Sequence, residues 1–212
     1  TLLAIHALTV ASLTRLLPAN VPFEIHTLED GIQGQALQLR HLARRFPEKG
    51  TKLLVGLVAV QTAQFPRACD LIAQWQRLGA TCVMGGFHVS GSISTLVDGI
   101  HDATRKDVPC PKTMPREIAA LMERGVIVFH GEAEELWDSV LADLLDERAQ
   151  PLYRGGKPDL VSAPLPDYPE RYFEGSFVTE MGTFDTGRGC PFACSFCSII
   201  NVQGRKSRYR AP

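Results

Sequence analysis

The chain has 212 residues, 45% of them hydrophobic, enough to bury a core and to form one large or two small domains. Its 22 Lys and Arg against 23 Asp and Glu leave a formal net charge of -1, so the overall balance points to neither a polyanion nor an acidic membrane surface as partner. No apolar run approaches the roughly 20 residues of a membrane-spanning helix, and six cysteines, three scattered and three clustered, are not the layout of a small disulfide-stapled domain, so a soluble protein of the reducing cytoplasm is expected.

From Leu2 to Leu17 the apolar residues recur at helical spacing, and without a basic stretch before them they read as an amphipathic helix, not a signal peptide. Pro22 to Leu28 alternates like a strand, Glu29 to Gly31 makes a loop, and Gln35 to Phe46 reads as a helix closed by Pro47 and Gly50. Lys52 to Val60 is a near-continuous apolar run, the pattern of a strand covered on both faces. There follow a helix from Phe65 to Leu78, a strand from Ala80 to Met84, a loop from Gly85 to Ser90 and a helix from Ser92 to His101. After a loop from Asp107 to Pro115 come a short helix from Arg116 to Glu123, a strand from Val126 to Phe129 and a helix from Glu134 to Glu147.

Strands and helices in strict turn predict an α/β fold, a Rossmann-like (flavodoxin-like) parallel sheet with helices on both faces, over residues 1–149. Residues 150–175 read as a linker, since Pro151 to Pro169 holds five prolines and a Gly-Gly pair. Residues 176–212 open a second unit with a strand at Phe177 to Thr186, then a cysteine loop and a basic stretch. That unit is too short to be a domain, the first unit opens on a helix with no preceding strand, and Thr1 is not an initiator Met, so a fragment cut at both ends is expected. Cys69 and Cys82 are expected to pack as small buried hydrophobes.

Two sets of residues carry chemistry. In Gly189 to Cys197 (GCPFACSFC), Cys190, Cys194 and Cys197 stand four and three residues apart in one compact loop, and three thiolates can hold three corners of a metal cluster, leaving one iron for a non-protein ligand. The competing zinc site needs a fourth Cys or His, and none follows Cys197, so Cys110 or His130 would have to complete it from afar. Arg205, Lys206, Arg208 and Arg210 read as a solvated loop. With Tyr209 as the one interleaved aromatic they make a weak nucleic-acid footprint, and no nucleic-acid partner is expected.

The second set lies on loops at the carboxyl ends of the predicted strands, where open α/β sheets bind ligands. It comprises Gln61 and Thr62, then Gly85, Gly86, His88 and Ser90, then His130, Gly131 and Glu132, the glycines permitting close backbone approach. The alternatives are local backbone hydrogen bonds for His88 and His130, and helix-dipole charges for Glu132, Glu134 and Glu135. No GxGxxG follows a strand, which argues against a dinucleotide site.

The CxxxCxxC spacing after Gly-Cys-Pro, with the aromatic Phe196 directly before the last Cys, resembles the signature of the radical S-adenosylmethionine superfamily. The resemblance implies that Cys190, Cys194 and Cys197 hold a 4Fe-4S cluster, that S-adenosylmethionine sits on the open iron and is cleaved to a 5′-deoxyadenosyl radical, and that Phe196 lies beside the adenine. It also implies an electron donor such as flavodoxin or ferredoxin, and the start of a partial (β/α) barrel in residues 176–212. The domain in front, with its GGxHxS loop and GEAEEL segment, resembles the cobalamin-binding domain found before such barrels. That implies cobalamin contacts at Gln61, Thr62, Gly85, Gly86, His88, Ser90, Gly131 and Glu132. The loop EDGIQG (Glu29 to Gly34) has no His where cobalamin mutases carry Asp-x-His-x-x-Gly, so His88 is expected near the corrin or its tail and not as the axial ligand. The function implied is methyl transfer or rearrangement at a carbon of a small-molecule or lipid-like substrate. A cobalamin-using cyclase or oxidoreductase and a non-catalytic binding module are the alternatives. No catalytic side chain is named, and this chain alone is expected to be inactive.

Overall fold

A computed structural model of the chain describes residues 2–28, 30, 41–42, 44–45, 51–99, 110–161, 163, 186–192, 194, 197 and 199–210. Four short strands, β1 (Leu54–Leu57), β2 (Thr81–Gly85), β3 (Ile127–His130) and β4 (Leu152–Arg154), lie side by side in chain order, all parallel. The register sets Val55 beside Cys82, Met84 beside Val128 and Phe129 beside Tyr153. The β-branched run at 126–128 is buried throughout, as a strand covered on both faces requires.

Alternate side chains feed two separate cores. Cys82, Met84 and Val128 point to one face and meet Ile72, Val89, Ile93 and Ile118 from α2 (Phe65–Gln76), α3 (Phe87–Ile93) and α4 (Arg116–Glu123). Val83, Ile127 and Phe129 point to the other and meet Leu8, Leu13, Trp137 and Val140 from α1 (Leu2–Leu16) and α5 (Trp137–Leu145). The architecture is thus Rossmann-like, as the alternation of patterns predicts.

From β1 to β2 and from β3 to β4 the chain steps in the same direction, yet α2 and α5 lie on opposite faces. These two crossovers therefore have opposite hands, and one departs from the right-handed rule. The contacts of α5 show what holds it: Trp137 Nε1 donates to Thr9 Oγ1 at 2.9 Å, and Asp138 accepts from Ser12 Oγ and from Arg15 Nη2 at 2.7 Å. All three partners sit on α1.

The structure corrects four readings. Pro22 to Leu28 forms no strand; the segment runs unpaired, with Ile25 packed against one core and Leu28 against the other, so its alternation reflects two-sided half-burial without a ladder. The central apolar run ends as a strand at Leu57, because Ala59 takes a left-handed conformation (φ 58°) and Val60 N–H donates to Gly85 O at 3.2 Å. The segment Gly85 to Ser90 is no loop: Gly85 closes β2 and α3 begins at Phe87, five residues before the predicted helix, running on into a π turn at Ser94–Asp98. Leu152–Arg154, read as linker, is β4; Pro151 lacks an N–H but its carbonyl accepts from Val128 N–H at 2.9 Å, so proline starts this strand instead of preventing it.

All but Thr186 of the predicted strand at 177–186 and most of the predicted helix at 35–46 lie outside the described residues. Cys82 is fully buried, its thiol pushed up to about 11 by burial, and Cys69 packs half-buried beside the same core.

Candidate functional site

The carboxyl ends of β1, β2, β3 and β4 form one edge, and three groups of residues meet there. After β1 the chain makes a 3-10 turn (Thr62–Gln64), closed by Gln61 N–H donating to Gln64 Oε1 at 3.0 Å. Thr62 Oγ1 lies 3.3 Å from His88 Nδ1, and the His88 ring rests on Phe65 with centroids 4.0 Å apart. His88 Nε2 is buried and has no hydrogen-bond partner among the described residues. Gln61, Thr62 and His88, drawn from two different loops in the sequence, are therefore neighbours.

The glycines serve the protein's own backbone. Gly86 (φ 141°) passes so close to the turn after β1 that a Cβ there would lie 2.2 Å from Val60 N. Gly131 (φ 94°) lets the exit of β3 cross the exit of β4, and a Cβ there would meet Gly155 O at 2.5 Å. Ser90 Oγ accepts from Gly131 N–H at 3.0 Å, tying α3 to this crossing. The close approach that the sequence reserves for a ligand at these positions is thus taken up by chain on chain.

His130 ends β3 with its side chain 14% exposed. Its Nε2 lies 2.9 Å from Ser94 Oγ and 3.7 Å from Asp98 Oδ2, and Asp98 also pairs with Arg154 at 3.0 Å. Burial, then the nearby Arg154 charge, push the imidazole below its ordinary pKa. Serine and aspartate both face the same ring nitrogen while Nδ1 is buried without a partner among the described residues, so this is not the relay of a hydrolytic triad.

The cysteine loop closes on a small antiparallel pair, β5 (Gly187–Arg188) and β6 (Arg208–Tyr209), with α6 (Ile199–Gln203) between them. Cys190 N–H donates to Gly204 O at 3.1 Å and Cys197 N–H to Cys194 O at 3.2 Å. All three cysteines are free thiols, Cys194 exposed and the other two half-buried. Among the described residues no three Cys, His, Asp or Glu side chains converge in metal-binding geometry. Phe196 lies outside the described residues.

This hairpin sits on the sheet edge through charge. Glu132, 7% exposed, accepts from Arg188 Nη1 at 2.8 Å and from both terminal nitrogens of Arg208, one of them at 3.0 Å. Glu134 pairs with Arg188 at 2.6 Å, so it does not serve as a dipole charge at α5, whose first-turn acid is Asp138. Burial opposes the Arg188 charge, but Glu134 and Glu132 outweigh it and hold its pKa above the ordinary guanidinium value. Arg208, read from sequence as solvated, is 10% exposed and donates further to Pro158 O at 2.7 Å and Gln203 O at 3.0 Å. Sequence reasoning missed Arg188 and Arg208. The one available signal was acidic residues after β3 and arginines on either side of the thiols, and nothing local pairs them.

No protein-family model matches the chain, and no solved structure does. Three curated proteins are similar to parts of it. The bacteriochlorophyllide d C-8(2)-methyltransferase of Chlorobaculum tepidum is 30% identical over 165 residues, 75% of this chain and 31% of that protein. The bacteriochlorophyllide d C-12(1)-methyltransferase of the same organism is 29% identical over 91 residues, 39% of this chain and 19% of that protein. An uncharacterised methyltransferase of Synechocystis is 38% identical over 61 residues, 26% of this chain and 10% of that protein. The chain thus spans less than a third of the length of the relatives it matches.

Proposed function

We propose that the full-length protein is a radical S-adenosylmethionine methyltransferase that uses cobalamin, and that this chain carries its corrinoid domain and the loop that holds its cluster. The observation that carries the reading is a loop of three free thiols at four- and three-residue spacing, set against the carboxyl edge of a Rossmann-like sheet. The donor set fits an iron–sulfur cluster: three soft thiol ligands, none in a disulfide. The names of the similar proteins favour methyl transfer over a cyclising or oxidoreductive outcome.

When bound, the cluster and S-adenosylmethionine supply a 5′-deoxyadenosyl radical and cobalamin supplies a methyl carrier. The chain's part is to hold and orient. Cys190, Cys194 and Cys197 would ligate the cluster, and Phe196 would flank the adenine. Gln61, Thr62 and His88 would meet the polar rim of the corrinoid, His88 through the buried Nε2 that has no protein partner among the described residues. Gly85, Gly86, Ser90 and Gly131 would shape that site by fixing the two backbone crossings. Glu132, already engaged by two arginines, would act from behind it.

Among the described residues no helix is long and apolar enough to cross a membrane. We place the enzyme in the cytoplasm, fed by a flavodoxin- or ferredoxin-like electron donor.

The test is anaerobic reconstitution of the full-length protein with iron, sulfide and cobalamin, reduction, and measurement of 5′-deoxyadenosine released from S-adenosylmethionine. Release is expected. Bound cobalamin without release would leave only a binding module, and metal analysis finding zinc without iron or sulfide would replace the cluster with a structural site.

A further inference from the structure

We propose that Glu132 is a positioning residue for the thiol loop: one buried carboxylate seats the segment carrying Cys190, Cys194 and Cys197 on the carboxyl edge of the sheet. Arg188 lies on β5 and Arg208 on β6, so the two contacts of Glu132 reach both strands of the hairpin. Arg188 stands two residues before Cys190. Arg208 adds bonds to Pro158 O, beyond β4, and to Gln203 O, at the end of α6. The set of Glu132, Glu134, Arg188 and Arg208 is charge-neutral, and their side chains are 7–15% exposed.

The sheet aims this carboxylate. Gly131 turns the chain at the end of β3, and Gly155 crosses so near that a Cβ on it would lie 1.9 Å from Glu132 O, which fixes the Glu132 backbone. Beside these ion pairs, α6 packs against α3 and the π turn at Ser94–Asp98, and Arg210 Nη1 donates to Ala163 O at 3.2 Å. Of its described residues from 186 to 210 only Gly204 is buried, and Phe192 and Tyr209 face outward. Apolar burial therefore contributes little to its docking, while removing Glu132 would leave two guanidinium groups in a dry site with one carboxylate between them, a strongly unfavourable arrangement.

The importance given to these thiols rests on the proposed cluster; the docking itself is read from the ion pairs. The experiment is thiol alkylation of the full-length protein, followed residue by residue by mass spectrometry, for wild type, Glu132→Gln, Arg208→Gln and Arg208→Lys. The readout is the rate at Cys190 and Cys197 relative to exposed Cys194, with buried Cys82 reporting global unfolding. In Glu132→Gln the relative rates at Cys190 and Cys197 are expected to rise about tenfold to a hundredfold while Cys82 stays protected, because local release needs no opening of the core. Arg208→Lys, which keeps the charge but loses the fork, should fall between wild type and Arg208→Gln. Unchanged relative rates in folded Glu132→Gln would overturn the proposal. So would exposure of Cys82 in both Glu132→Gln and Arg208→Gln, which would make the cluster a determinant of the whole fold. Wild-type protein that takes up no iron or sulfide would end the cluster reading and leave the alkylation contrast to decide this one.

Discussion

The sheet and the thiol hairpin are held together by different physics. In the sheet, side chains of all four strands and five helices fill two dry layers, and residues such as Ile72, Met84, Ile93, Ile118 and Val128 are wholly buried. In the hairpin Phe192 and Tyr209 are 70% and 67% exposed, and backbone bonds and two arginines drawn to Glu132 are a large part of what orders it. Hydrophobic burial is strong but indifferent to direction, whereas paired charges act only in one geometry. The region that needs stability has the first, and the region that needs placement has the second.

Perturbing the sheet should therefore cost stability without moving the loop. Ile72→Ala empties a fully buried site and is expected to lower unfolding free energy by about 3–4 kcal/mol. Denaturant melts would measure that, and the relative alkylation of Cys190 and Cys197 under native conditions should stay at the wild-type value. A parallel rise in both would erase the distinction between the regions.

Gly86→Ala sharpens the comparison within the sheet, where the exit of β2 crosses the turn after β1. Its Cβ would fall 2.2 Å from Val60 N at a φ of 141°, so a loss of about 2–3 kcal/mol is expected, together with a change in His88, two residues on. Unfolding midpoints and the His88 ring resonances would report the two effects separately. A shift of the midpoint with His88 unmoved would mean that the crossing serves packing alone.

A smaller effect is expected from His130. Burial holds its pKa below the ordinary imidazole value, so the folded chain resists protonation while the unfolded chain accepts it. Its contribution to stability is then complete above about pH 6.5 and is lost as pH falls from there toward the folded pKa. Melts at about pH 7.5 and 5.5 should show a steeper decline in wild type than in His130→Gln. Equal slopes would remove His130 as the source.

The smallest belongs to Asp138, whose pKa is lowered by the Ser12 hydroxyl and then by Arg15. The stabilisation is present above the ordinary carboxylate range and lost as pH falls through the depressed pKa. With the Asp138 and Arg15 side chains 51% and 60% exposed, Asp138→Asn should cost less than about 1 kcal/mol near neutral pH, read as a small shift in the melt. A loss as large as that of Ile72→Ala would mean that charge, too, supports the sheet.

Sequence periodicity located the strands of this fold because a strand buried on both faces leaves a dense mark: Leu54–Leu57, Thr81–Gly85 and Ile127–His130 all fall on apolar runs. It missed β4, whose Leu-Tyr-Arg lies between proline and paired glycines and is a strand only because β3 offers it a ladder. It placed Pro22 to Leu28 in a strand for the opposite reason, a good pattern with no ladder to join. At the site, the sequence marks the three thiols by their spacing and by the resemblance that GCPFACSFC carries. The Glu132–Arg208 contact was not, since 76 residues separate its partners and each looks like an ordinary surface charge. Nor did the sequence distinguish glycines that admit a ligand from glycines that admit a neighbouring backbone, as at Gly86 and Gly131.

The opposite-handed crossover of α5 makes the two ends of the sheet domain depend on each other. Leu8 and Leu13 of α1 share a core with Trp137, Val140 and Leu141 of α5. Stripping residues 2–16 would bare an apolar strip on the helix that carries the chain to β4, a surface of the kind that drives self-association. A shortened chain would then precipitate or pair with itself through α5, and the first sign of damage at the amino-terminal helix would be stickiness at the far edge of the sheet.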